Sequence, residues 1–304
     1  MKLAILAVTT FLSGIAHANE QCALHQVGSL DLKEHAGRML TIPVMIDGKP
    51  QTMAINPSDP NSLLAAEYGD AQNFERAVVP VKRDGHIFIP KNPSYLVTDF
   101  MIGNIHGTKV PMHRFDRPKD FGDDVVGEVG ADILSNFDVE VDLKNSKIIL
   151  FSQDHCPGNV VYWTKSKYAA IPFDIDPGGH SSVQMNLDGK TISVTFALAT
   201  GGASMSLKAA KRIFGIDENS QGVTSIVDAP TNTRRYRFPF KVLSIDGISI
   251  LNPKIDLDPA IMECRLPHCF GGSDVYLGTD ELRYLHFYFA FKEKVLYATP
   301  ADAH

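Results

Sequence analysis

Two stretches of the chain carry the same alternation of apolar and polar positions. Ile42-Pro43-Val44-Met45-Ile46 runs into Asp47-Gly48-Lys49 and a second patterned run over 51–55. Val183-Gln184-Met185-Asn186-Leu187 runs into Asp188-Gly189-Lys190 and a second run over 191–198. Period-two patterning predicts half-buried strands, and Asp-Gly between two such strands predicts a tight hairpin. A short helix is expected after each hairpin, over 62–68 and over 207–214. Further along, 100–115 and 242–257 share a strand, a glycine-containing turn and a strand.

A second pair of matching stretches follows. Gly130-Ala131-Asp132-Ile133-Leu134 precedes the strand pattern Phe137-Asp138-Val139-Glu140-Val141-Asp142 and then Lys147-Ile148-Ile149-Leu150-Phe151. Gly278-Thr279-Asp280-Glu281-Leu282 precedes Leu285-His286-Phe287-Tyr288-Phe289-Ala290 and then Lys294-Val295-Leu296-Tyr297. Each reads as a helical turn followed by two strands. The repeat distance is about 140 residues, far beyond the roughly 20–50 of solenoid repeats, so the chain contains two copies of one lobe. Low helical content makes the class mainly β.

The amino terminus changes the picture of where the chain works. Lys2, an apolar run from Leu3 to Ala16 and the small-x-small end Ala16-His17-Ala18 form a secretory signal, with cleavage expected after Ala18. That gives a signal peptide at 1–18, a first lobe at 19–156, a connecting segment at 157–168 and a second lobe at 169–304. No later run is apolar enough to cross a bilayer, so a secreted or periplasmic protein is expected. The four cysteines, Cys22, Cys156, Cys264 and Cys269, fit disulfides in an exported chain. Four cysteines allow three pairings, of which Cys22–Cys156 with Cys264–Cys269 is favoured. A metal site using Cys264, His268 and Cys269 lacks a fourth ligand, and no metal or other cofactor is expected. The formal net charge of −6 and the lack of a basic stripe argue against a nucleic-acid partner.

The order of strand, hairpin, reactive turn, hydrophobic-Gly pair and short helix resembles one lobe of the pepsin and retropepsin aspartic proteases. Val129-Gly130 and Leu277-Gly278 match the hydrophobic-Gly element that lies against the catalytic turn of that family. More closely, the chain resembles bacterial retropepsin-like proteins with two lobes fused in one polypeptide. The resemblance implies two pseudo-symmetric β-barrel lobes with short helices and a cleft between them. It also implies an Asp-Thr/Ser-Gly turn in each lobe, the two aspartates sharing a proton at the lobe junction.

Neither turn supplies that aspartate. In Ile55-Asn56-Pro57-Ser58-Asp59, Asn56 falls at the family's aspartate position, and its amide accepts no proton at working pH. In Leu198-Ala199-Thr200-Gly201-Gly202-Ala203-Ser204, matching Gly202-Ala203-Ser204 to the family's Gly-Ala-Ser puts Thr200 there; a gapped alternative puts Ala199 there. Pro57 and Gly201 also lack the hydroxyl with which the family braces one turn against the other lobe. Asp59 is a displaced catalytic candidate, with a turn-bonding role as the simpler reading. Asp132 and Asp280 recur in both lobes and read as acids at helix starts. Asn56, Pro57, Ser58, Thr200, Gly201, Gly202 and Ala203 are expected to line the cleft. Lys82, Arg83, Asp84, Gly85 and His86 form a candidate flap hairpin over it.

No Gly-x-Ser-x-Gly or phosphate-cradling glycine motif is present. The expected function is an aspartic-protease-like protein that binds a peptide or protein segment without cutting it. The alternatives are an active endopeptidase with unorthodox residues, such as Asp59, and a structural or assembly protein with a filled cleft.

Overall fold

The computed structural model describes residues 22–35, 38–83, 86–117, 121–176, 179–228, 233–261 and 272–303. Both predicted hairpins form: Leu40–Ile46 pairs with Lys49–Ile55, and Ser181–Leu187 pairs with Lys190–Phe196. Asp47 and Gly48 have φ of 48° and 72°, and Asp188 and Gly189 have 47° and 83°. Two consecutive positive φ values give the turn whose twist suits a two-residue hairpin. Both turn aspartates also accept backbone hydrogen bonds from the neighbouring hairpin, Asp47 from Asp99 N and Asp188 from Val242 N.

In the first lobe eight strands run in the order Lys33–Glu34, Leu40–Ile46, Lys49–Ile55, Val125–Val129, Leu63–Ala65, Ile105–Phe115, Ser94–Ile102, Glu75–Ala77. Contact of Leu40–Ile46 with Ser94–Ile102 closes this sheet on itself. In the second lobe Lys190–Phe196, Val275–Leu277, Ala203–Ser206 and Ile255–Asp258 repeat the inner arrangement. Helix Leu207–Phe214 lies where the sequence predicts it. Ser206 caps its first turn through Lys208 N, and Gly215 ends it at φ 72°. In the first lobe the helix starts later than expected. Leu63–Ala65 is a strand and only Ala66–Ala71 is helical, because Leu63 and Leu64 pair with two strands at once.

One sheet joins the lobes. Gln26–Asp31, Lys147–Phe151, Asp138–Asp142, Leu285–Ala290, Val295–Pro300 and Ala169–Ile175 lie side by side in that order. Asp138–Asp142 and Leu285–Ala290 are repeat counterparts and pair antiparallel, with Glu140 opposite Tyr288. Those two residues are also each other's repeat partners, so the approximate two-fold axis passes between them.

One face of this sheet buries Val139, Val141, Phe287 and Phe289 in the main core. The other is covered by the connecting segment, which follows directly on Cys156, the residue held to Cys22 by a disulfide. There Trp163 stacks on His286 at 4.2 Å. His286 Nε2 lies 2.9 Å from Glu140, and the Tyr162 hydroxyl donates to Glu140 at 2.7 Å. The tryptophan is thus a partly buried packing residue of this smaller apolar cluster. Cys264, His268 and Cys269 lie outside the described residues. Among the described residues no helix is long and apolar enough to cross a membrane.

Candidate functional site between the lobes

The hydrophobic-Gly pairs fix the register of both turns. Val129 pairs with Ile55 and accepts a hydrogen bond from Asn56 N at 2.9 Å. Leu277 pairs with Phe196 and accepts one from Ala197 N at 3.0 Å. After the glycines, Ala131 N donates to Asp59 O and Thr279 N donates to Thr200 O. Asn56 therefore corresponds to Ala197, and Asp59 corresponds to Thr200.

This corrects the expected pairing of Asn56 with Thr200 by three residues. The sequence alignment followed the Gly-Ala-Ser likeness, whereas strand pairing sets the backbone register. The glycines are required by close approach. A Cβ on Gly130 would lie 2.4 Å from Asn61 O, and one on Gly278 would lie 2.4 Å from Gly202 O.

The expected loss of a brace between the turns is also revised. On the corrected register the residues after Asn56 and Ala197 are Pro57 and Leu198, neither bearing a hydroxyl, and the backbone does the bracing. Leu40 N donates across to Leu198 O at 2.9 Å, and Ser181 N donates back to Ser58 O at 3.3 Å. Leu40 and Ser181 are repeat counterparts, whereas their acceptors are offset by one residue, Leu198 corresponding to Pro57 and Ser58 to Ala199, so the two lobes brace each other in a similar but not identical way. The Thr279 hydroxyl adds a bond to Arg38 O at 2.7 Å, and Asp280 pairs with Arg38.

A cleft of about 650 Å³ opens between the turns. Of the expected lining residues, Asn56, Thr200, Gly201, Gly202 and Ala203 line it. Pro57 and Ser58 do not: both are buried, with Ser58 packed against Phe173, Ser181 and Phe196. The flap candidates form a separate hairpin, Val81–Arg83 with His86–Phe88, while Asp84 and Gly85 lie outside the described residues.

The cleft does contain carboxyl groups, and both nearest the first turn come from the first lobe. Asp59 lines it while its Oδ1 accepts from Asn61 N at 3.1 Å, the turn-bonding role expected of it. Glu128 lines it beside Asn56 and is only 5% exposed. Burial pushes the Glu128 carboxyl up to about 8, the nearby Asp59 charge adds to this, and a hydrogen bond from the Asn56 amide opposes it.

From the second lobe come Tyr276, which is the repeat counterpart of Glu128, along with Arg235 and Asp258. Burial raises the Tyr276 hydroxyl, with Asp176 and Asp59 adding to the effect. The sequence reading missed Glu128. Its signal was a lone acid inside the apolar strand Val125–Val129, one residue before the hydrophobic-Gly pair.

Asp132 and Asp280 part company. Asp132 holds Ser62 through both its hydroxyl and its N–H, at 2.6 and 2.9 Å, and Ser62 Oγ accepts from Gly130 N at 3.0 Å. The counterpart of Ser62 is Ala203, so Asp280 is left to its surface arginines, Arg38 and Arg283. Among the described residues no group of three or more His, Cys, Asp or Glu side chains is placed to hold a metal ion.

The arrangement of two lobes, a shared sheet and paired turns occurs in a solved structure. The fold is that of the pepsin-like aspartic proteinases. An aspartic proteinase from Irpex lacteus superposes with a TM-score of 0.52 at 11% identity, over 90% of this chain and 97% of that one. Basic 7S globulin from soybean superposes with a TM-score of 0.48 at 9% identity, over 92% of this chain and 96% of that one. No family profile and no curated protein sequence matches the chain. At such identities the likeness concerns the fold alone.

Proposed function

We propose that this chain is an exported, aspartic-protease-like protein that holds an extended peptide or protein segment between its lobes and does not hydrolyse it. The observation that carries this reading is the pair of residues heading the two turns. Asn56 and Ala197 occupy equivalent backbone positions, and neither an amide nor a methyl can serve as a general acid or base at working pH. Hydrolysis by this architecture needs two carboxyls, one from each lobe, that share a proton. An open cleft of about 650 Å³ lies within the size range of ligand sites and weighs against a filled one. The signal-like amino terminus and the Cys22–Cys156 disulfide support export.

The test is incubation of the mature protein with a mixed peptide library from acid to neutral pH, with mass spectrometry of both the free and the retained peptides. Retention without new termini is expected. New termini produced by the natural sequence would overturn the non-hydrolytic reading.

One observation favours a second reading, an active hydrolase. Asp59 and Glu128 lie close enough for the charge of one to raise the other. An ionised Asp59 could take a proton from water while a protonated Glu128 hydrogen-bonds the scissile carbonyl. On that reading, cleavage by the natural chain disappears in both D59N and E128Q.

A further inference from the structure

Two oxygen atoms in the cleft lining have no hydrogen-bond partner. Glu128 Oε1 and Asn56 Oδ1 are both buried and unpaired, although the two side chains are bonded to each other through the Asn56 amide. Leaving a buried polar atom unpaired costs about 1–3 kcal/mol, so such atoms in a cleft wall point to a partner supplied from outside. The backbone around Glu128 offers no relief. Its strand is paired on both sides, to Ala54 and to Leu63, so the side chain faces the cleft from a fixed position.

The chemistry of the two atoms defines the partner. Asn56 Oδ1 only accepts, so it requires a donor. The Glu128 carboxyl, when protonated, donates one hydrogen bond and requires an acceptor. A peptide segment supplies both, in its N–H and C=O groups. An anionic group, such as a free chain terminus, is disfavoured there by the charge of Asp59, which acts on Glu128 from the same turn.

The other ionisable groups in the lining belong to the second lobe. Arg235 is 3.6 Å from Asp256, Asp258 Oδ1 accepts from Ala260 N, and Tyr276 has its hydroxyl raised by burial. Burial and Asp59 both hold Glu128 in its neutral form through neutral pH.

We propose that protonated Glu128 and Asn56 act as one recognition unit for the uncharged backbone of an extended segment. Glu128 donates to a peptide carbonyl, Asn56 Oδ1 accepts from a peptide N–H, and ionisation of Glu128 releases the segment. This rests on the peptide-holding reading above and adds to it both the contact atoms and a control by pH. Raising the pH removes the donated proton and places a second negative charge beside Asp59. The acceptor it had bound then meets an acceptor, and the contact becomes repulsive.

The experiment uses the mature full chain and end-blocked peptides recovered from the library, with affinity measured by calorimetry at about pH 6 and about pH 9.5. The natural protein is expected to lose at least about tenfold in affinity between the two. E128Q keeps a donor at every pH and should lose less than about twofold. E128L should bind weakly at both. Equal affinity of the natural protein at both values, or full binding by E128L, overturns the proposal.

A second measurement needs no ligand: the carbon-13 shift of the Glu128 carboxyl followed through its titration. A midpoint in the ordinary carboxylate range overturns the recognition unit and leaves the peptide-holding reading intact. A midpoint above about 7 supports the unit. Failure of both the natural protein and E128Q to retain any blocked peptide, whatever the midpoint, overturns the peptide-holding reading together with the inference.

Discussion

The first-lobe turn and the second-lobe turn follow the same backbone path and carry opposite chemistry. From Asn56 to Ser62 every side chain but the prolines Pro57 and Pro60 is polar, with Ser62 tied to Asp132 and Asn56 to Glu128. From Ala197 to Ala203 they are small or apolar except for Thr200, whose hydroxyl bonds to Ala197 O at 3.4 Å. The shared path is held by features that both copies retain, namely the hydrophobic-Gly pair and the strand register. The chemistry sits on positions that those constraints leave free. An architecture whose hydrolysis needs one acid at the head of each turn has here an amide and a methyl at those positions, with Asp59 and Glu128 beside the first turn and Asp258 across the cleft. That asymmetry suits a grip on a ligand better than a symmetric pair of acids.

The comparison can be broken most severely at the retained features. G130A and G278A each drive a methyl into backbone carbonyls that cannot move independently. Each is expected to cost more than about 3 kcal/mol and to abolish cooperative unfolding in a denaturant titration. Equal losses in both lobes would confirm that the path is shared; tolerance at either site would show that its turn is held by something else.

The next effect separates the lobes by pH. Glu128 has its folded pKa raised from 4.5 to about 8, so the neutral form is the one that folding favours. Its contribution is therefore full below the unfolded value and is lost as pH rises through the folded one. Between roughly pH 5 and pH 8.5 the natural protein should lose on the order of a few kcal/mol relative to E128Q. Thermal unfolding across that range checks this, and parallel curves would remove the buried acid from the account. Asp132 and Asp138, both raised by burial, titrate in both proteins and cancel in the difference.

Smaller changes sharpen the contrast between the repeated aspartates. D132A leaves Ser62 N–H and its hydroxyl without their acceptor in a buried setting, an expected loss of about 2 kcal/mol. D280A removes surface ion pairs and should cost under about 1 kcal/mol by the same chemical denaturation. The smallest effect is at Thr200, where T200V loses one long hydrogen bond and is expected to stay within about 0.5 kcal/mol of the natural protein.

Much of this architecture was legible from residues alone, because its signals are local. Asp47-Gly48 and Asp188-Gly189 dictate their turns, and alternating strands with a repeated Gly-x-Asp element announce two copies of one lobe. The start of the first helix was misjudged because Leu63 and Leu64 are claimed by two distant strands, a pairing that no local pattern records. The second turn was misregistered for a related reason. Gly202-Ala203-Ser204 looks like a motif, yet position is fixed by Phe196 pairing with Leu277. Glu128 was visible as an odd residue in an apolar strand, but its meaning depends on Asn56 and Asp59, about seventy residues earlier.

The strand pair meeting at Glu140 and Tyr288 has a consequence for how the molecule is made. Asp138–Asp142 belongs to the first copy but finds its neighbour only in Leu285–Ala290, near the end of the chain. During synthesis the first copy must wait with one flank of that strand unpaired until nearly the whole polypeptide has left the ribosome. A chain released early would carry an open β-edge, ready to join the same edge of another unfinished chain.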